Sequence, residues 1–213
     1  VEHNYLGIFP NGTALGNWGG ILVGSDGVVV RNNVISGNWR GIYAYAAGTI
    51  IQGNFIGTDP TGATTSVDLR NEVGIDLGGY ADSSIIGGTN PPMMNVISGN
   101  GIGVDVRSGS HAIIGNHIGT DLSGTVDLGN SNGIIITTAS NYVGGTMPGA
   151  GNLISGNSLG ISIGTAGVGN VIKSNMIGSD ISGTLPIPNY TGIVVLGQEN
   201  RIGGLNPGEA NLI

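Results

Sequence analysis

The sequence predicts an all-β solenoid: a right-handed single-stranded parallel β-helix of about seven three-strand coils. Three observations support this prediction: 43 of the 213 residues are glycine, a short asparagine motif recurs along the chain, and short β-branched runs separate its copies. Such an excess of glycine, against roughly 7% in an average protein, disfavours long helices. The 39% of hydrophobic residues still provides apolar surface to bury, so we expect strands and turns rather than disorder.

The asparagine motif sets the period of the solenoid. In each copy, Asn is followed two residues later by Ile or Leu, and then usually by Gly or Ser. The eight copies begin at Asn4, Asn33, Asn54, Asn95, Asn116, Asn152, Asn175 and Asn211. Short and long steps alternate between the copies, so we predict a repeating unit of two coils, with loops inserted on alternate coils.

Each coil is predicted to contain three short strands. Between the Asn motifs lie a Gly-Ile-like run, such as Gly103-Val104-Asp105-Val106, and a β-branched pair, such as Ile113-Ile114. These runs are too short for helices and end at Gly or Asn. Coils stacked at the strand spacing of about 4.8 Å would form a rod of roughly 34 Å. Parallel crossovers are nearly always right-handed, which gives the predicted hand.

The repeated Asn is predicted to be structural. At a corner between two strands, its amide can donate to the coil on one side and accept from the coil on the other, forming a ladder. The glycines supply the positive φ angles that bends between strands require.

Several runs resemble the parallel β-helix (pectin-lyase-like) repeats of large secreted or surface-anchored bacterial proteins. They are Asn33-Val34-Ile35-Ser36-Gly37-Asn38, 95–100, 152–157, 118–124 and Val143-Gly144-Gly145. The resemblance covers essentially the whole chain and implies an extracellular or cell-surface location. It leaves function open, because similar coils serve polysaccharide lyases, hydrolases, epimerases, adhesins and passive stalks.

Charge and composition argue against several partners. Six basic residues against thirteen acidic ones give a formal charge of −7. Nucleic acid and anionic membranes are bound through clustered Lys and Arg, so neither is an expected partner. No apolar run approaches the ~18 residues of a membrane helix, so no membrane insertion is expected. The absence of cysteine excludes disulfides and thiolate metal sites.

A patch on the Gly-Ile strands carries the candidate chemistry. Alternation of side chains places Tyr43, Asp76 and Asp105 in one outward column, and Tyr45 and Arg107 in the next. Asp76 and Asp105 would lie about 5 Å apart, near the carboxylate separation of retaining glycoside hydrolases, and are the candidate catalytic residues. Tyr43 and Tyr45 could stack on sugar rings, and Arg107 could hold a uronate carboxylate. The alternative is a solvated face on which Arg107 offsets repulsion between the aspartates.

No metal site or cofactor is predicted. The three histidines form no constellation suited to a metal or a catalytic triad. Asp59, Asp121 and Asp180 recur once per two coils and would lie about 10 Å apart, too far for one cation to bridge. Hydrogen bonding within turns is therefore their predicted role, and calcium binding is the alternative.

A further outward column predicts a surface that something covers. The residue after each ladder Asn should point outward, because the Ile after it points inward. This apolar stripe is the predicted interface, formed by Val34, Phe55, Val96, Leu153, Met176 and Leu212, with Tyr5 and His117 in the same column. A stripe about 34 Å long is larger than a monomer usually leaves bare. The long loops 58–73, 89–94, 120–132 and 179–191 are the predicted cover, and another chain is the alternative.

The predicted organisation is a single β-helix domain, residues 1–213. The chain opens inside one Asn repeat and closes inside another, so we expect a fragment of a longer solenoid without its own caps. The expected function is a non-enzymatic extracellular scaffold or stalk of a bacterial surface or secreted protein, with adhesion or self-assembly as additional roles. Two alternatives stay open. One is a polysaccharide-active enzyme or glycan-binding module using an outer strand face, and the other is a filament subunit stacking end to end. A polysaccharide or a copy of the chain would be the partner.

Overall fold

A computed structural model describes residues 1–213 and contains 21 short strands wound into seven coils. The first four coils hold β1 (Tyr5–Leu6), β2 (Gly19–Val23), β3 (Val29–Arg31), β4 (Val34–Ile35), β5 (Arg40–Ala44), β6 (Ile50–Gln52), β7 (Phe55–Ile56), β8 (Val73–Leu77), β9 (Ile85–Gly87), β10 (Val96–Ile97), β11 (Ile102–Val106) and β12 (Ala112–Ile114). The last three hold β13 (His117–Ile118), β14 (Asn132–Ile136), β15 (Tyr142–Gly144), β16 (Leu153–Ile154), β17 (Leu159–Ile163), β18 (Val171–Lys173), β19 (Met176–Ile177), β20 (Thr191–Val195) and β21 (Arg201–Ile202). One 3₁₀ turn spans Pro91–Met93.

Strands three apart in the chain lie side by side and form three parallel seven-stranded sheets. The first sheet contains β1, β4, β7, β10, β13, β16 and β19; the second runs from β2 to β20 and the third from β3 to β21 in the same steps. This arrangement confirms the predicted three-sided parallel β-helix of about seven coils. No helix of the chain is long and apolar enough to span a membrane.

The interior of the rod is a continuous apolar column. A cluster of 25 buried residues, mostly isoleucine, runs the length of the three sheets. Ile42, Ile75, Val104 and Ile134 stack in register on four neighbouring strands of the second sheet and are fully buried. Full burial of such a side chain contributes roughly 1.5–3 kcal/mol, so like residues stacked in register provide much of the cohesion between coils.

Polar ladders line all three corners, whereas the sequence analysis predicted one. The first ladder contains the eight motif asparagines. The second contains Asn17, Asn38, Asn71, Asn100, Asn130, Asn157 and Asn189, and the third continues from His111 through Asn141, Asn170 and Asn200. A typical rung is Asn95, whose Nδ2 donates to Asn116 Oδ1 at 2.9 Å while its Oδ1 accepts from the Nδ2 of Asn54 at 3.0 Å. The ladders therefore satisfy polar groups that the corners bury.

One residue in each motif distinguishes looped coils from compact ones. Where Gly follows the motif, as at Gly119 with φ of 95°, the chain bends at once into a long loop. Where Ser follows, the bend comes one residue later, as at Gly99 with φ of 74°. The buried Ser98 hydroxyl donates to Thr120 O at 2.7 Å and accepts from Gly119 N at 3.0 Å, which fastens the root of the next loop. Ser36 and Ser155 make the same pair of contacts, so loops are inserted on alternate coils, as predicted.

The chain's own loops cover most of the apolar stripe. Val34, Val96, His117 and Leu153 are buried, Phe55 and Met176 are half-buried, and Leu212 is 46% exposed. The loops also rest on one another, since Leu122 N donates to Gly62 O at 2.9 Å and Ile181 N donates to Gly124 O at 3.0 Å. Binding of another chain to the stripe stays a prediction, and its accessible residues are Tyr5 and Leu212 at the two ends, each 46% exposed.

Candidate functional site: an ion cluster and an aromatic strip

The five patch residues lie together on the outer face of the second sheet. Strands β5, β8 and β11 place Tyr43, Asp76 and Asp105 directly side by side. Tyr45 lies two residues after Tyr43, Arg107 lies two residues after Asp105, and both side chains face the same side. The structure therefore brings the predicted patch together, and its catalytic or binding role stays a prediction.

Asp76 is held between two guanidinium groups. Its side chain is 1% exposed, and its Oδ1 accepts from Arg107 Nε at 3.0 Å and also from Arg107 Nη2. On the other side Arg40 Nε lies 2.9 Å from Oδ2, as an ion pair without hydrogen-bond alignment. The Asp76 carboxylate in turn raises the pKa of Arg107. Both carboxylate oxygens are thus occupied by arginine, which leaves Asp76 poorly suited to act on a substrate.

Asp105 is the less restrained carboxyl of the pair. Its side chain is 16% exposed, and its Oδ2 lies 3.4 Å from Arg107 Nε. Burial raises the pKa of Asp105, Arg107 opposes that shift, and the neighbouring Asp76 adds to it. Asp105 therefore has the direction of shift that a general acid needs.

A row of aromatic side chains extends from the ion cluster. The Arg40 guanidinium lies 5.4 Å from the Trp18 ring centroid and 4.7 Å from that of Tyr43. The ring centroids of Tyr43 and Tyr45 are 5.7 Å apart and tilted by 47°. We call Trp18, Arg40, Tyr43 and Tyr45 the aromatic strip.

Glycines make room for the strip. A Cβ on Gly24 would collide with the Tyr45 hydroxyl, so the missing side chain lets that tyrosine lie over the first coil. A Cβ on Gly78 would stand 3.2 Å from the Tyr43 ring and 3.4 Å from Arg107 Nη2. The positions of these side chains therefore depend on small neighbours in the adjacent coil.

Sequence reasoning missed Trp18 and Arg40. In β5 both Gly41 and Ile42 are buried, while Arg40 and Tyr43 on either side face outward. Two consecutive inward residues break the two-residue alternation, so counting back from Tyr43 assigns Arg40 to the wrong face. The signal that could have revealed it is the glycine itself, because an isolated Gly in a strand often marks such an irregularity.

The recurring aspartates serve their own turns. Asp121 Oδ1 accepts from the backbone N–H of Thr125 and Val126 at 3.0 and 2.9 Å, and Oδ2 accepts from the Ser123 hydroxyl. Burial acts to raise the pKa of Asp121, but these hydrogen bonds outweigh it and lower the pKa. Asp59 and Asp180 make equivalent bonds. No three His, Asp or Glu side chains converge into a metal-binding group.

His111 occupies a ladder position at the third corner. Its backbone N–H donates to Asn141 Oδ1 at 3.0 Å, and its Nδ1 accepts from Ser84 N at 3.2 Å. Its Nε2 lies 3.0 Å from Ser108 Oγ. Burial lowers the pKa of His111 to about 4, so the ring is neutral near neutral pH.

The face above the ion cluster is open. The five principal concavities of the surface are lined by other residues, and neither Asp76 nor Asp105 contributes to them. Comparison with family models, curated proteins and solved structures gives no match for the chain.

Proposed function

We propose that this chain is a rigid, non-enzymatic β-helix scaffold, a stalk-like segment of an extracellular bacterial surface or secreted protein. The observation that carries the proposal is the run of side-chain ladders along its corners. The first ladder passes through every coil, and a single apolar column runs beside it.

Ladders of this kind favour rigidity for a physical reason. Opening one coil exposes the carboxamides of its neighbours as well as its own backbone, and an unpaired buried polar group costs about 1–3 kcal/mol. Asn116 shows the coupling, since its Nδ2 donates to Ile86 O, Ile114 O and Asn152 Oδ1 at 2.9 to 3.0 Å. A chain built in this way resists local bending and fraying between its ends.

Hydrogen exchange tests the scaffold proposal. Amides that donate to ladder oxygens should exchange at similar, slow rates in the five inner coils. Asn95→Ala should accelerate exchange in the coils on both sides of it. Asn132→Ala is the control and should not, because the half-buried Asn132 side chain makes no hydrogen bond within the chain. Inner coils that open independently, with no effect of Asn95→Ala on their neighbours, would contradict a rigid rod. Antibody labelling of producing cells before and after permeabilisation tests the location, and labelling that appears only after permeabilisation would contradict it.

A polysaccharide-active enzyme is the second candidate, favoured by the raised pKa of Asp105. Its test is depolymerisation of acidic and neutral polysaccharides by the native chain and by Asp105→Asn. Activity that disappears in Asp105→Asn would replace the scaffold proposal by an enzymatic one, whereas equal absence of activity in both proteins agrees with the scaffold. Self-assembly into filaments is a separate prediction, tested by light scattering across a range of concentrations.

A further inference from the structure

Two tryptophans and a leucine are prominently exposed on the first two coils. Trp18 is 69% exposed, Leu22 63% and Trp39 55%. Gly19 pairs with Arg40 and Leu22 with Tyr43, so Trp18 and Trp39 occupy matching positions on adjacent coils, and Leu22 borders Tyr43. The aromatic strip is therefore bordered by exposed apolar side chains, which belong to neither the asparagine ladders nor the core.

We infer that the aromatic strip binds a neutral polysaccharide chain, a binding function beyond the proposed scaffold role. The exposed rings of Trp18 and Tyr45 offer faces against which the C–H faces of sugar rings can pack, while Arg40 lies over the half-buried Tyr43 ring between them. Their indole N–H and phenol groups offer hydrogen bonds at the edges. Neighbouring groups of the strip are 5.4, 4.7 and 5.7 Å apart, so each contacts the next.

The charges of the cluster favour an uncharged ligand. Arg40 and Arg107 both contact Asp76, and Arg107 also lies near Asp105, so two arginines and two aspartates balance one another. An incoming uronate carboxylate would have to compete with a buried aspartate for either guanidinium, which is unfavourable. The role of holding a uronate, predicted for Arg107 from the sequence, is therefore not the one this proposal uses. The 41% exposed Arg107 side chain can still donate to sugar hydroxyls.

The dimensions of the strip favour a linear ligand over a protein. The stretch from residue 39 to residue 45 along the strand, across two coils, covers roughly 20 Å by 10 Å. That area, on the order of 200 Å², is far below the ~800 Å² per partner of a stable protein interface. A single polysaccharide strand is narrow enough to lie on an area of this size.

Affinity electrophoresis tests the inference. The native chain is run in gels containing hydroxyethylcellulose, dextran or galactomannan, with polygalacturonate as the acidic probe. We expect retardation by at least one neutral polymer. Trp18→Ala and Tyr45→Ala should each weaken it at least tenfold, and Tyr142→Ala, a 52% exposed tyrosine on the third sheet, should not. Circular dichroism melts verify that every variant is folded.

Three results would overturn the inference: no retardation by any of the neutral polymers, retardation by polygalacturonate alone, or neutral retardation that both strip variants retain. If Tyr45→Ala proved unstable, Trp18→Ala alone would decide, because its exposed side chain takes no part in the core. The exchange experiment on the ladders is independent of these gels, so failure of glycan binding leaves the scaffold proposal standing.

Discussion

The native protein should lose stability on acidification through His111, and the His111→Asn variant should lose much less. The buried imidazole accepts the N–H of Ser84 and must stay neutral to do so, and burial lowers its pKa from 6.5 to about 4. The unfolded chain takes up the proton near pH 6.5, whereas the native chain resists it until about pH 4. The stabilising contribution is therefore complete above pH 6.5 and is lost as the pH falls towards 4. At 1.36 kcal/mol per pKa unit it amounts to about 3 kcal/mol, most of which is lost by pH 4.5.

Urea unfolding of the native chain and of His111→Asn at pH 7 and pH 4.5 measures this difference. Asn is the residue at the matching ladder position of the next three coils, so the variant should keep the fold. The pKa of His117 is also lowered by burial, but that contribution is common to both proteins. An equal loss of stability in the two proteins would refute the reasoning. So would an imidazole NMR titration of His111 in the native chain with a midpoint near 6.5.

Three further substitutions follow from the contacts. Ser98→Ala should destabilise the chain by about 1–3 kcal/mol in urea unfolding, because the buried Thr120 carbonyl loses its donor and Gly119 N–H loses one acceptor; the exposed Ser131→Ala should change little. Gly124→Ala and Gly169→Ala both strain a positive φ, 70° and 65°, but only at position 124 would a Cβ stand within 3.0 Å of side chains, so its thermal midpoint should fall further. An equal fall in both would count against loop packing. Asp76→Asn leaves two guanidinium groups facing a neutral amide and should cost about 1–3 kcal/mol, less than a fully buried pair because the Arg40 and Arg107 side chains are 24% and 41% exposed, whereas unchanged stability would show that the ion cluster is dispensable.

The sequence was sufficient to predict the fold because one motif controls each coil. Asn95 and Ile97 illustrate it: the amide can satisfy a corner only if an identical residue lies above and below, and the isoleucine can be buried only if the motif turns inward. Register then follows from alignment of the motifs, which is why the pairing of Asp76 with Asp105 could be predicted without a structure. The alternation of Gly and Ser after the motif likewise marks which coils carry loops.

The ladders at the other two corners were harder to predict. Long loops of unequal length separate Asn71 and Asn130 from the motifs before them, which hides their period. At the third corner the column begins with Thr49 and Ser84 and passes through His111 before it becomes asparagine, so composition gave no repeat to find. The partners of Asp76 were hidden by the double inward step in β5. In each case a local irregularity in spacing or in residue type, rather than a weak overall pattern, concealed the residue.

The serine that fastens the root of the following loop has a consequence for the length of the rod. A compact coil supplies the hydroxyl and a looped coil supplies the amide and carbonyl that it binds, so neither is complete alone. Removing a compact coil would bring two loops onto neighbouring levels, and removing a looped coil would leave one serine hydroxyl without its pair. The rod should therefore tolerate lengthening or shortening only in steps of two coils, about 10 Å at a time. Constructing chains with one and with two additional coils would show whether growth occurs in such pairs.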